Sequence, residues 1–191
     1  MEAIRKFEDL LFDLSNDFTI YSQLFSDDEA VEVLNDFNSL IFGNYQKVLI
    51  TSILSKIARL LDPATTGKDK IPNLSLGYFI KKYDLGNDPE VRDELSYIKE
   101  FYKNSNLKIY RNKVLSHNDA TLAYKGESII LKLETPDVES LISFIGNLFY
   151  LIKYKSGVSE VNAAIDPMVT LPFDKDGVAF IYKLKNHYNK F

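Results

Sequence analysis

SDDEAVEVLNDFNSLIFGNYQKVLITSILSKIARLLDP, residues 26–63, is the stretch whose pattern decides the fold class. It opens on Ser26-Asp27-Asp28-Glu29, the S-x-x-E form of a capping box, in which side chains satisfy the free N–H groups at a helix start. Val31, Leu34, Phe37, Leu40, Ile41, Val48, Ile53, Leu54, Ile57, Leu60 and Leu61 follow at helical spacing. Asp62-Pro63 stops the run, because proline lacks the N–H that a helix interior needs. One long helix is predicted, with Gly43 marking a kink or a close helix crossing. The acids Asp27, Asp28 and Glu29 have the chemistry to hold a divalent cation. At a helix N-terminus they also complement the helix dipole, and capping is the favoured reading.

The same period extends in both directions. Phe7, Leu10, Leu11, Leu14 and Phe18 predict a first helix from about residue 2 to about 21. Residues 62–73 form a polar loop. Its Thr66-Gly67-Lys68 is similar to the end of a phosphate-binding loop, but Asp62 stands where that pattern needs glycine and Asp69 where it needs Ser or Thr. A surface turn is the better account. A short helix is predicted over about Leu74 to Tyr83. Asp88-Pro89-Glu90 then supplies an N-cap, a first-turn proline and a first-turn acid for a helix to about Tyr102. Asn104-Ser105-Asn106 breaks it, and a further helical stretch covers about 106–117. Ser128 to Leu133 reads as a short strand or extended arm with no obvious partner. Thr135-Pro136-Asp137 opens a strongly apolar helix to about Lys155. Residues 156–173 look irregular, and Asp174 to about Asn189 reads as a last helix. There is no repeat and no clear linker. The expectation is one all-α domain over residues 1–191, an up-and-down helical bundle, with 156–191 as a C-terminal extension ending in a helix.

Composition narrows the chemistry. The 191 residues contain no cysteine, which excludes disulfides and thiolate metal sites. The only histidines are His117 and His187, without HxxxH spacing, so no metal site is predicted and no cofactor is implied. The start, Met1 to Lys6, does not read as a signal peptide. The longest apolar run, Leu141 to Ile152, is broken by Ser143, Gly146 and Asn147 and falls short of the roughly 20 residues that span a bilayer. A soluble, cytoplasmic protein is expected. The net charge of −4 counts against tight non-specific nucleic-acid binding, but leaves room for a local basic site.

Such a site exists in the sequence. Residues 103–117 carry Lys103, Lys108, Arg111 and Lys113, no acid, and His117 at the end. Arginine offers a planar, permanently charged fork suited to phosphate. Histidine titrates where proton transfer near neutrality needs it. Together they form a minimal kit for cleaving a phosphodiester without a metal. Spacing alone favours the plainer reading, a surface helix with a capping histidine. On a continuous helix, six residues would put Arg111 and His117 about 120° apart around the axis and about 9 Å along it. They would flank one phosphate only if the helix end bends or a second copy completes the site. Cleavage through the RNA 2′-hydroxyl also needs a base and an acid, whereas one motif histidine carries one proton. A two-fold dimer supplies two.

Arg111-Asn112, four residues, then His117 resembles the R-[polar]-x(4–6)-H signature of the HEPN superfamily. RNKVLSHND, residues 111–119, is similar to the longer run of HEPN proteins of the abortive-infection U type, as are SKIARLLDP (55–63) and NLSLGYFI (73–80). The resemblance covers about residues 28–155. It implies a helical bundle that dimerises with its two motifs facing each other. For active members it also implies a metal-independent endoribonuclease of toxin, phage-defence or RNA-processing type. Carried over, His117 is general acid or base, Arg111 binds the scissile phosphate, and Asn112 orients either. Lys108 and Lys113 are expected to contact RNA, with tRNA among the candidate substrates. The implied partners are a second copy and an antitoxin or nucleotidyltransferase-like protein. The alternative is a dimeric HEPN module that binds RNA or protein without catalysis.

Overall fold

The computed structural model describes residues 1–107, 133, 135–164 and 166–188. Among them run six α-helices: α1 (Glu2–Phe25), α2 (Asp28–Leu60), α3 (Leu76–Lys82), α4 (Pro89–Asn104), α5 (Thr135–Lys155) and α6 (Gly177–Tyr188). The described residues are all-α apart from an antiparallel ladder of two residues a side, Thr65–Thr66 against Ile71–Pro72, inside the polar loop.

α1 is the central element, packed against α2, α5 and α6. Its buried positions Ile4, Phe7, Leu11, Leu14, Phe18, Tyr21 and Leu24 step by three or four, which keeps one side of the helix in the core to the last turn. α2 returns antiparallel to it: Phe25 meets Tyr45 at 6.4 Å between ring centroids, while Asp17 accepts from Ser52 Oγ and Lys56 Nζ, both at 2.6 Å. Residue numbers rise on one helix as they fall on the other. The part of α2 before Tyr45 therefore extends past the last turn of α1.

Two features of α2 differ from the sequence expectation. Its N-cap is Asp27, whose Oδ2 accepts the Ala30 N–H at 2.9 Å. Ser26 instead donates its hydroxyl to the Ser22 carbonyl. The helix is also interrupted at Asn38, which is extended (φ −168°, ψ 90°), and not at Gly43. Asn38 Oδ1 accepts the Ile41 N–H at 3.0 Å, so the residue acts as an internal N-cap restarting the helix.

Phe7, Phe79 and Phe149 join α1, α3 and α5 through ring pairs at 5.2, 4.3 and 5.3 Å. Gly77 lets α3 approach the loop after α2: a Cβ there would lie 3.0 Å from the Ala64 nitrogen and 3.3 Å from the Asp62 carbonyl oxygen. α4 packs on α5 through Tyr97, Phe101 and Phe144. Its N-cap is Asp88, which accepts from the N–H groups of Glu90 and Val91, and Pro89 is in its first turn. α6 lies against α1 and α2, with Ile181 and Leu184 buried.

Candidate functional site

The sequence-predicted site residues Arg111, Asn112, His117, Lys108 and Lys113 lie outside the described residues, as do residues 108–117 of the further helical stretch expected over about 106–117 and, but for Leu133, the arm expected at Ser128 to Leu133. The described frame shows where the chain leaves for this segment and where it returns. α4 delivers it: Ser105 turns extended (φ −70°, ψ 154°), its N–H still bonded to the Phe101 carbonyl, and Leu107 is buried. The turn-forming Asn104-Ser105-Asn106 thus ends the helix where the sequence placed the break. Leu133 marks the return. It is buried, and its N–H donates to Tyr21 Oη at 3.2 Å.

Both ends of residues 108–132 are therefore tied to the core, one by an apolar side chain, the other by an apolar side chain and a hydrogen bond. Burying an N–H without a partner costs about 1–3 kcal/mol, so the Tyr21 hydroxyl constrains where the returning strand of chain can sit. Pattern reading missed Tyr21 and Leu133 as positioning residues. The only signal was a tyrosine, a buried ring with a polar tip, on a helix face otherwise lined by Phe and Leu.

The electrostatics of the frame are uneven. The cleft between α4 and α5, about 620 Å³, is lined by Glu90, Glu94, Tyr97 and Asn147 among others, with no basic side chain among the described residues that line it. A second hollow of about 370 Å³, where α4 ends and α5 begins, is lined by Glu100 and Asp137. Carboxylates repel phosphate, so the described walls of these two clefts do not favour a nucleic-acid backbone.

At the start of α4, Lys155 pairs with Glu90 at 2.8 Å and Asp88 at 3.3 Å. The backbone N–H of Val91, and then the Lys155 ammonium, hold the Asp88 carboxyl below its ordinary pKa. The Glu90 and Asp88 carboxylates raise the Lys155 ammonium above its own. This network fixes the start of α4, the end opposite to the one from which the chain leaves for residues 108–132.

Among the described residues, no group of three or more His, Asp or Glu side chains is arranged to hold a metal ion. No helix among them is long and apolar enough to cross a membrane. The Asp27-Asp28-Glu29 cluster is used locally: Asp27 caps α2 and Glu29 pairs with Lys185.

Residues 2–153 match the family model described as AbiU2, of the HEPN type. The match takes in α1, which the resemblance read from the sequence did not reach, and it encloses residues 111–117. Comparison with curated proteins and with solved structures gives no match.

Proposed function

The chain belongs to the AbiU2 family of HEPN proteins, and from that premise we propose that it is a metal-independent endoribonuclease with a toxin or phage-defence role. One observation carries the reading. Arg111-Asn112-x4-His117 falls within a family match that spans most of an all-α bundle, on a segment whose two ends are fastened to the core. In this reading Arg111 binds the scissile phosphate and stabilises the charge that develops on it. His117 moves the proton at the 2′-hydroxyl or at the leaving 5′-oxygen, and its counterpart in a second copy supplies the other transfer. Asn112 orients the histidine or the phosphate, and Lys108 and Lys113 hold the neighbouring backbone. Bond formation from the 2′-oxygen to phosphorus, with departure of the 5′-oxygen, leaves a 2′,3′-cyclic phosphate and a 5′-hydroxyl.

The test is cleavage of total RNA and tRNA in EDTA, with analysis of product ends. Wild type is expected to cut and leave cyclic phosphates. His117→Ala is expected to abolish cutting, and Arg111→Ala to slow it by about 10²–10³-fold, the usual cost of losing one charge-stabilising donor. A folded wild type that leaves RNA intact, or a His117→Ala variant as active as wild type, would replace this reading with that of a binding module. A binding module has specific grounds of its own: the chain is acidic overall, and the described residues lining its α4–α5 cleft include carboxylates and aromatic rings and no cation.

A further inference from the structure

α4 separates its charges by face. At about 100° per residue, Glu90, Glu94, Tyr97 and Phe101 share one side of the helix, and Arg92, Lys99 and Lys103 lie about half a turn round from it. The acidic side looks onto α5. There the cleft lined by Glu90, Glu94, Tyr97 and Phe144 and the hollow lined by Glu100, Phe101 and Asp137 have Tyr97 in common, so the two run on as one groove beside α4. Its middle is aromatic. Tyr97 and Phe101 stand edge-on to Phe144, with ring centroids 5.1 and 5.4 Å away, and Tyr97 is 52% exposed. Glu90 is paired with Lys155, but none of Glu94, Glu100 and Asp137 is in an ion pair among the described residues. From Glu90 to Asn104 the groove follows about 21 Å of helix, the length of about six extended residues.

We propose that this groove is a docking site for an arginine-bearing segment of another protein. Charge chooses the occupant. The carboxylates of Glu94, Glu100 and Asp137 attract a cation and repel an RNA backbone. The half-exposed Tyr97 ring between them offers a cation a second attraction. Arginine meets both in one side chain: its planar guanidinium stacks on a ring and pairs with a carboxylate through two parallel N–H groups, which a lysine ammonium cannot do. Carboxylates spaced along the whole of α4 select a segment with several arginines over a single cation. The site does not rest on the nuclease reading, since binding is measured without RNA.

The measurement is fluorescence anisotropy of a labelled eight-residue peptide alternating arginine and serine, titrated with the full chain at about 0.15 M salt, where distant charges are screened. Wild type is expected to bind it with a Kd below about 100 µM. The lysine counterpart should bind more weakly, and the citrulline counterpart, which keeps the shape and loses the charge, should not bind. Glu94→Lys with Glu100→Lys should raise the Kd at least about tenfold. Asp9→Lys with Glu32→Lys makes the same change in net charge at exposed sites on α1 and α2, and should move the Kd less than about twofold. Tyr97→Leu should raise it about threefold or more with the melting temperature unchanged. Equal weakening by the two charge reversals overturns the proposal, because it shows attraction to an acidic chain and no site. So does a citrulline peptide that binds as tightly as the arginine one, or a wild type that binds neither. A wild-type dimer that dissociates on Glu94→Lys with Glu100→Lys gives the groove to a second copy and overturns it too. If Lys108→Ala with Lys113→Ala binds the peptide at least about tenfold more tightly than wild type, the groove belongs to the chain's own basic segment and the proposal falls.

Discussion

Tyr21 shows how much one side chain can do that its own stretch of sequence does not announce. It is fully buried on α1, yet its hydroxyl accepts a backbone N–H from Leu133, 112 residues away. Tyr21→Phe keeps the ring and removes that acceptor. Unfolding in urea should show a loss of about 1–3 kcal/mol, the cost of a buried donor without its partner. An unchanged midpoint would mean that the returning chain is not held there. The Ser26–Asp27 pair teaches a related lesson at shorter range. Both residues have capping chemistry, but only Asp27 has the extended backbone (φ −99°, ψ 128°) from which a side chain reaches the N–H three residues on. Residue type identified the cap to within one position; backbone conformation chose between them.

At the scale of elements, helix starts were legible because their signals are local. Asp88-Pro89 starts α4 and Thr135-Pro136 starts α5, and Asn104-Ser105 ends α4, all as composition predicts. The break in α2 was not. Glycine is the residue usually suspected, but Gly43 stays helical, and Asn38 breaks the helix because its side chain can cap the turn that follows. The cap of α4 carries a pH signature. Asp88 has a folded pKa below its ordinary value, so its contribution to stability is present above the unfolded pKa. It is lost as pH falls through the folded one. Lys155, raised above its ordinary value, contributes below its unfolded pKa and loses that contribution as pH rises through the folded one. Thermal melts between about pH 5 and pH 2 should therefore fall less steeply for Asp88→Asn, which keeps a capping oxygen but has no carboxylate to protonate. Parallel curves for the two proteins would remove Asp88 from the acid response.

At the scale of the whole molecule, α6 docks on α1 through a contact that only glycine permits. A Cβ at Gly177 would lie 2.8 Å from Gln23 Cβ and 3.1 Å from Leu24 Cδ2, while the Gly177 N–H donates to Gln23 Oε1 at 2.9 Å. Gly177→Ala should lower stability by about 1–3 kcal/mol, the usual penalty for overpacking, and should do so in the cooperative unfolding of the whole chain. A separate early transition confined to α6 would show that residues 156–191 are not integral to the bundle. Thr19 makes a second tie from α1 to this part of the chain, accepting the Val169 N–H at 3.0 Å. No pattern within 156–191 shows either contact, because each partner lies some 150 residues upstream.

Local pattern in the sequence is enough to read that this chain is helical and where most of its helices begin and end, and it supplies the proposal that residues 111–117 act on a phosphodiester. These follow from periodicity, capping residues and the clustering of Arg111, Asn112 and His117, all properties of neighbours in the chain. Only the tertiary structure decided which apolar residues of α2 are core. Leu34, Ile53, Leu54, Ile57 and Leu60 are buried, whereas Ile41 and Val48, about half a turn round the helix from Ile57, face water. Periodicity records that α2 is apolar on more than one side; only packing shows that α1 covers the side of Ile50, Ile53 and Ile57 and leaves the other uncovered.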